Sequence, residues 1–187
     1  MRYTIYMMVG LPASGKTTLA KSLVALDSEK LGYVSRDEVR YDILGTYKTN
    51  TGKENLVLRE FCERICSDLL LTNHNAVFAD ATHITPWSRI KFYNTLMKLI
   101  KEKSEFEKDE IEVIPLILDT PWEICYKRNS MRPEERRVPN DEMEKFYREK
   151  VYFPLKDNFS GLDSTFPKRL YYDSATDSFN LVTMTLE

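Results

Sequence analysis

Eight consecutive residues near the amino terminus constrain this chain more than any others. Gly10-Leu11-Pro12-Ala13-Ser14-Gly15-Lys16-Thr17 matches G-x-x-x-x-G-K-[ST] at every fixed position, the pattern of a loop that wraps nucleoside phosphates between a strand and a helix. Gly10 and Gly15 let the backbone turn its N–H groups, those around Ser14 included, toward phosphate oxygens. Lys16 reaches the β/γ-phosphates, the Thr17 hydroxyl is a ligand for Mg²⁺, and Thr18 completes the set at the helix N-terminus. The flanking sequence is what such a loop requires. Tyr3 to Val9 carries no charge and suits a buried parallel strand, and Lys16 to Leu26 sets Leu19, Leu23 and Leu26 at helical spacing. An ordinary glycine-containing strand-to-helix turn explains less of this context. The chain is expected to bind ATP with Mg²⁺.

At 187 residues and 42% hydrophobic, the chain is sized for one well-buried core, so a single domain over residues 1–187 is expected. No apolar run approaches the roughly 20 residues that cross a bilayer, and the start lacks a signal-peptide pattern. The expected setting is cytoplasmic, away from membranes. Three cysteines do not make a disulfide framework. Cys62 and Cys66, four apart on an expected helix, read as core residues; a metal site with His74 matches no usual zinc spacing. The 27 basic and 29 acidic residues give a net charge of −2, so any polynucleotide must be held by a local patch rather than by the overall field.

Strand and helix signals alternate along the chain. Leu31–Val34 reads as a strand ending at Ser35, Glu54–Leu71 as a helix with Leu58, Phe61, Ile65 and Leu69 on one face, and Ala76–Ala79 as a strand running into Asp80. Thr85 and Pro86 start a helix reaching about Lys103, followed by a charged surface loop over Ser104–Glu110. Ile111–Leu118 is a strand, Trp122 to about Arg132 a helix stopped by Pro133, and Asn140 caps a helix with Pro154 beyond its end. Arg169–Tyr172 supplies a fifth strand. The expected fold is α/β, a five-stranded parallel sheet flanked by helices, with functional groups at the carboxyl ends of the strands. Asp37, Asp80 and Asp119 fall at or just past such ends. Residues 45–53 form the most loop-like stretch, polar with two glycines and free to move.

Three segments bear on the chemistry. In Ser35-Arg36-Asp37-Glu38-Val39-Arg40, Asp37 is placed to accept the proton of an acceptor hydroxyl, and Arg40, three residues on, to hold an acceptor phosphate. Ser35 and Glu38 also form a capping-box pattern, and Asp37 suits any helix N-terminus, so a purely local role competes evenly. Asp80, ending an apolar strand, is positioned to orient Mg²⁺, against the simpler role of a turn residue. Arg128, Arg132, Arg136 and Arg137 concentrate positive charge around Pro133, as a lid closing over the triphosphate would, although Glu134 and Glu135 are interleaved.

Taken together, these residues resemble the kinase domain of polynucleotide 5′-hydroxyl kinases, within the small phosphate-loop kinases that include zeta-toxin-like and chloramphenicol-phosphotransferase-like proteins. The likeness spans most of the chain: the phosphate loop, Arg36-Asp37-x-x-Arg40, Asp80-Ala81-Thr82, and Arg128-Asn129-Ser130-x-Arg132 followed by Val138-Pro139, in the family's order. The resemblance implies a P-loop kinase with an arginine-bearing lid at about residues 131–139. It makes Asp37 the general base, Lys16 and Thr17 the phosphate and Mg²⁺ contacts, Arg40 a contact to the acceptor's phosphate, and Arg128 and Arg132 lid arginines on the donor phosphates. Glu38 and Val39 depart from the Asp-Tyr often found after the catalytic aspartate, and Pro133-Glu134-Glu135 makes the lid more acidic than the pattern.

The implied reaction transfers the γ-phosphate of ATP to the 5′-hydroxyl of RNA or DNA, with Lys16 and Arg132 stabilising developing charge. The alternative acceptor is a small-molecule alcohol such as a nucleoside, sugar or antibiotic, which the pI of about 5.8 keeps open. A nucleotide-dependent switch without acceptor chemistry leaves Asp37 and the basic lid without a purpose, and the guanine-reading Asn-Lys-x-Asp segment is absent.

Overall fold

The computed structural model describes residues 1–49, 52–150 and 164–183. In chain order the elements are β1 (Arg2–Val9), α1 (Lys16–Leu26), β2 (Leu31–Ser35), α2 (Arg36–Leu44), α3 (Glu54–Leu71), β3 (Ala76–Asp80), α4 (Pro86–Glu102), β4 (Glu110–Ile117), α5 (Trp122–Ser130), α6 (Asn140–Glu149), β5 (Lys168–Asp173) and β6 (Ser178–Thr183). The sheet order is β2-β3-β1-β4-β5-β6. Neighbours from β2 through β5 pair in parallel, and β6 turns back antiparallel to β5. The all-parallel, five-stranded expectation is therefore corrected to six strands with an antiparallel edge. Phe179 and Leu181 of β6 are largely exposed, so this strand carries no buried stripe by which sequence would betray it.

β1 is central, and that explains its uncharged sequence. Tyr3, Ile5, Met7 and Val9 join the core formed with α3 and α4, while Met8 packs on the opposite face with Leu19 and Ala20 of α1. Strand periodicity of two divides the residues between the faces, and both faces are covered by helices. The four apolar residues expected on α3 are all buried, each worth roughly 1.5–3 kcal/mol of transfer free energy. α4 begins at the expected cap: Thr85 Oγ1 accepts from the Ser88 amide and Ser88 Oγ accepts from the Thr85 amide, both at 3.2 Å, with Pro86 next.

Several local expectations change. The charged stretch after α4 is not all loop, because Ser104–Phe106 forms a 3₁₀ turn that buries Phe106 edge-on against Tyr3, ring centroids 5.8 Å apart. α5 stops at Ser130 rather than Arg132. Asn140 is the first residue of α6 and makes no side-chain cap; Pro139 precedes it. Leu26 is exposed, since the last turn of α1 runs past the sheet. Pro154 and residues 50–51 of the polar loop lie outside the described residues. Cys62 and Cys66 are buried in the core, burial pushing the Cys66 thiol up to about 11. His74 instead pairs with Asp68 at 2.7 Å, and no cluster of metal-ligating side chains exists among the described residues.

Candidate active site

The carboxyl ends of β1, β2, β3 and β4 bring the sequence-derived residues to one edge of the sheet. The phosphate loop leaves β1 and is tied down at once, the Gly10 amide donating to Thr82 O at 2.9 Å beyond β3. A Cβ at Gly10 would meet the Leu118 carbonyl at 2.9 Å and Ser14 Oγ at 2.7 Å, so only glycine lets β1, the loop and the end of β4 approach this closely. Gly15 has φ +103°, and Ala13, with φ 62°, also takes the left-handed region, a strained conformation for a residue with a side chain.

Lys16 is buried. Its ammonium donates to Gly10 O at 2.9 Å, Leu11 O at 2.7 Å and Ser14 Oγ at 3.3 Å. Burial pulls its pKa below the usual lysine value, with Asp80 and Asp37 opposing that pull. One residue on, Thr17 Oγ1 donates to Asp80 Oδ2 at 2.6 Å. Tyr33 of β2 donates to the same carboxylate oxygen at 2.7 Å; burial, and then the Asp80 charge, drive the Tyr33 pKa strongly upward. The hydroxyl of Thr17 and the buried carboxylate of Asp80 form an all-oxygen donor pair, chemistry that fits Mg²⁺ rather than a softer metal.

On the other side of this pair, α2 starts after β2 with Ser35 Oγ accepting from the Glu38 amide at 3.4 Å. Asp37 in its first turn is well exposed, its carboxylate held by Arg40 NH1 at 2.5 Å. Arg40 is itself buried. Its remaining donors reach Glu54 at the start of α3, Nε to Oε1 at 3.0 Å and NH2 to Oε2 at 3.1 Å. Arg36 NH2 donates to the same Glu54 Oε2 at 2.9 Å. The guanidinium of Arg40 is thus engaged on carboxylates, where the sequence suggested a phosphate.

Asn129 of α5 closes the arginine-bearing segment at its base: Nδ2 donates to Val138 O at 2.8 Å and Oδ1 accepts from the Val138 amide at 3.1 Å. This pair of bonds imitates a backbone pairing and converts residues 130–137 into a loop with a fixed stem. The four arginines then separate into two pairs. Arg128 reaches the phosphate loop, NH1 to Ser14 O at 3.5 Å, and Arg132 lines the same cleft, where Asp37 and Asp80 offset the effect of burial on its charge. Arg136 instead binds Glu38 Oε1 at 2.7 Å and the Tyr47 hydroxyl at 2.6 Å, and Arg137 donates to Arg132 O at 2.9 Å.

The cleft has a volume of about 1370 Å³. The phosphate loop and Arg128 and Arg132 bound one side; Tyr172, Asp173, Asp177 and Phe179 of the β5–β6 hairpin bound the other. Sequence reasoning missed this hairpin wall, together with Tyr33, Glu54 and the action of Asn129. Asn129 at least lay inside a segment singled out for its pattern; Glu54 and Tyr33 act across 14 and 47 residues of sequence and had no local signal.

A phosphate loop opening a helix, on a parallel sheet with strand β3 beside β1, gives the chain the fold of P-loop kinases. Residues 5–150 match a sequence family described as an AAA domain, and the chain belongs to that family. No curated protein matches it closely. Among solved structures, a fungal RNA kinase superposes with a TM-score of 0.69 at 16% identity, over 92% of this chain and 75% of that one. A sugar kinase from Janibacter sp. HTCC2649 gives 0.53 at 16% identity, over 84% and 82%. The Pnkp1/Rnl/Hen1 RNA repair complex gives 0.55 at 18% identity, with 99% of this chain covering 49% of that chain. These superpositions establish the shared fold. Among the described residues no helix is long and apolar enough to cross a membrane.

Proposed function

We propose that this chain transfers the γ-phosphate of ATP to the 5′-hydroxyl of a polynucleotide, RNA or DNA. The observation that carries the proposal is the setting of Asp37: an exposed carboxylate fixed by buried Arg40, in the electrostatic field of both Lys16 and Arg132. A hydroxyl entering beside Asp37 gives up its proton to that carboxylate as its oxygen bonds to the γ-phosphorus, and the bond from that phosphorus to the ADP oxygen breaks. Lys16 leaves the carbonyls of Gly10 and Leu11 for phosphate oxygens. Arg128 and Arg132 approach from the lid, where a positive group stabilises charge on the transferring phosphoryl. Thr17 and Asp80 hold Mg²⁺, which when bound neutralises charge on the phosphates. The hairpin wall of Tyr172 and Phe179 takes the base end of the donor. Arg40 acts as a positioning residue that aims Asp37, since a phosphate there would have to displace Glu54.

The polynucleotide acceptor draws support from the fungal RNA kinase neighbour, which spans 92% of the chain, and from the exposure of Asp37, which leaves room for a large substrate. A small-molecule alcohol is the second reading, supported by the sugar kinase neighbour and by the acidic pI of about 5.8. The deciding experiment follows labelled γ-phosphate from Mg-ATP onto 5′-hydroxyl RNA and DNA oligonucleotides, with Asp37→Ala as control. Labelling that the variant loses supports the polynucleotide reading. A folded, ATP-binding protein that labels neither oligonucleotide overturns it in favour of small alcohols.

A further inference from the structure

Next to Asp37 stands an aromatic cluster that neither the donor site nor the core requires. Tyr41 lies four residues after Asp37 on α2, hence on the same helical face about one turn away, about 6 Å along the axis. Its ring stacks on Tyr47 with centroids 4.6 Å apart and planes at 21°. Tyr47 is fastened from two directions: its hydroxyl donates to Glu38 Oε2 at 3.2 Å, and the guanidinium of Arg136 lies 4.4 Å from its ring centroid while donating to its hydroxyl. The stack is therefore braced by α2 and by the arginine-bearing segment at once. Tyr41 keeps 47% of its surface exposed.

We infer that Tyr41, backed by Tyr47, is the stacking platform for the 5′-terminal nucleobase of the acceptor strand. The spacing supports this: about one helical turn separates the backbone positions of Asp37 and Tyr41 on α2, a span comparable with that from the 5′-oxygen of a nucleotide to its base. A flat ring recognises any base through its π-face, which suits an enzyme that acts on strand ends irrespective of sequence. Glu38 and Arg136 cancel one another's charge beside the stack, so the platform contributes through stacking and not through phosphate attraction. The inference rests on the polynucleotide reading of Asp37 and names the subsite that reading leaves undefined.

The test compares steady-state phosphorylation of two matched oligonucleotides, one with an ordinary 5′-terminal nucleotide and one abasic at that position, by the wild-type chain, Tyr41→Ala and Tyr41→Phe. The expected result is a KM for the ordinary acceptor raised roughly tenfold or more in Tyr41→Ala and restored in Tyr41→Phe, with the KM for the abasic acceptor already high and insensitive to the substitution. If the wild-type enzyme phosphorylates both acceptors but Tyr41→Ala leaves both KM values alone, the platform is overturned while the kinase reading stands. An equal rise with both acceptors assigns the ring to the sugar, or to loop structure, and also overturns it. Wild-type protein that phosphorylates neither acceptor overturns the kinase reading and the platform together.

Discussion

The two halves of the candidate active site are built in opposite ways. The donor half is centred on a continuous piece of chain, Gly10 to Thr18, whose shape is set by two glycines, a left-handed Ala13 and internal bonds from Lys16. The acceptor half is assembled at a distance: Asp37 and Arg40 from α2, Glu54 from α3, and Arg136 from the segment beyond α5. A local device survives changes in the surrounding fold; an assembled one depends on every element that contributes. The phosphate loop should accordingly fail chiefly when its own residues change, and the acceptor half should fail also through residues that never meet substrate.

The sharpest test of that contrast compares the two central charges. Asp37→Asn keeps the shape but removes the proton acceptor, and kcat is expected to fall by about 10²–10⁴-fold with nucleotide affinity, read by fluorescent-analogue titration, unchanged. Lys16→Met should cost about 10²–10³-fold in kcat and weaken nucleotide binding as well. Equal effects of both variants on nucleotide affinity would erase the division between the halves. Next in size comes Glu54→Gln, which leaves Arg40 and Arg36 without the carboxylate they share. Misaiming Asp37 should lower kcat by about 10- to 100-fold while nucleotide affinity holds.

A fourth variant probes His83, which lies in the field of both Lys16 and Arg36. His83 is buried with φ 44°, its Nδ1 donating to Met8 O at 3.0 Å, and burial lowers its pKa from 6.5 to about 3. The unfolded chain takes up this proton below pH 6.5 and the folded chain does not. Stability is therefore intact above pH 6.5 and drains away as pH falls toward 3, by at most about 1.4 kcal/mol per pH unit. Thermal melts of His83→Gln across this range should show a shallower acid slope than wild type. The smallest effect belongs to Arg136→Ala. Its ion pair with Glu38 is about half exposed on both sides, so stability in denaturant titration should drop by less than about 1 kcal/mol, with kcat/KM for the acceptor changed more than that for ATP.

The contrast also accounts for what could be read in advance. The boundaries of α1 and α3, the cap of α4 and the placement of Asp80 follow from periodicity, capping chemistry and a motif, all contained within a few turns of chain. The same holds for the phosphate loop. β6 escaped because an edge strand with Phe179 and Leu181 outside has no buried face to mark it. Phe106 escaped because one apolar residue among charges carries no period, although tertiary packing against Tyr3 decides its place. At the acceptor side, Asp37 and Arg40 were legible as a pair, yet Glu54 was not, and it is Glu54 that shares the guanidinium of Arg40 with Asp37. The separation of Arg128 and Arg132 from Arg136 and Arg137 was likewise invisible in a run of like charges, because it depends on the stem that Asn129 makes with Val138.

The internal bonds of Lys16 carry one more consequence. Its ammonium sits on carbonyl oxygens of the loop it belongs to, acting as a tethered counter-ion that cross-braces the cradle. A loop braced in this way offers donor phosphates a pre-formed cradle and not a slack segment. Pre-organisation of this kind lowers the ordering cost of binding, and it predicts a cradle whose form hardly changes between rounds of turnover.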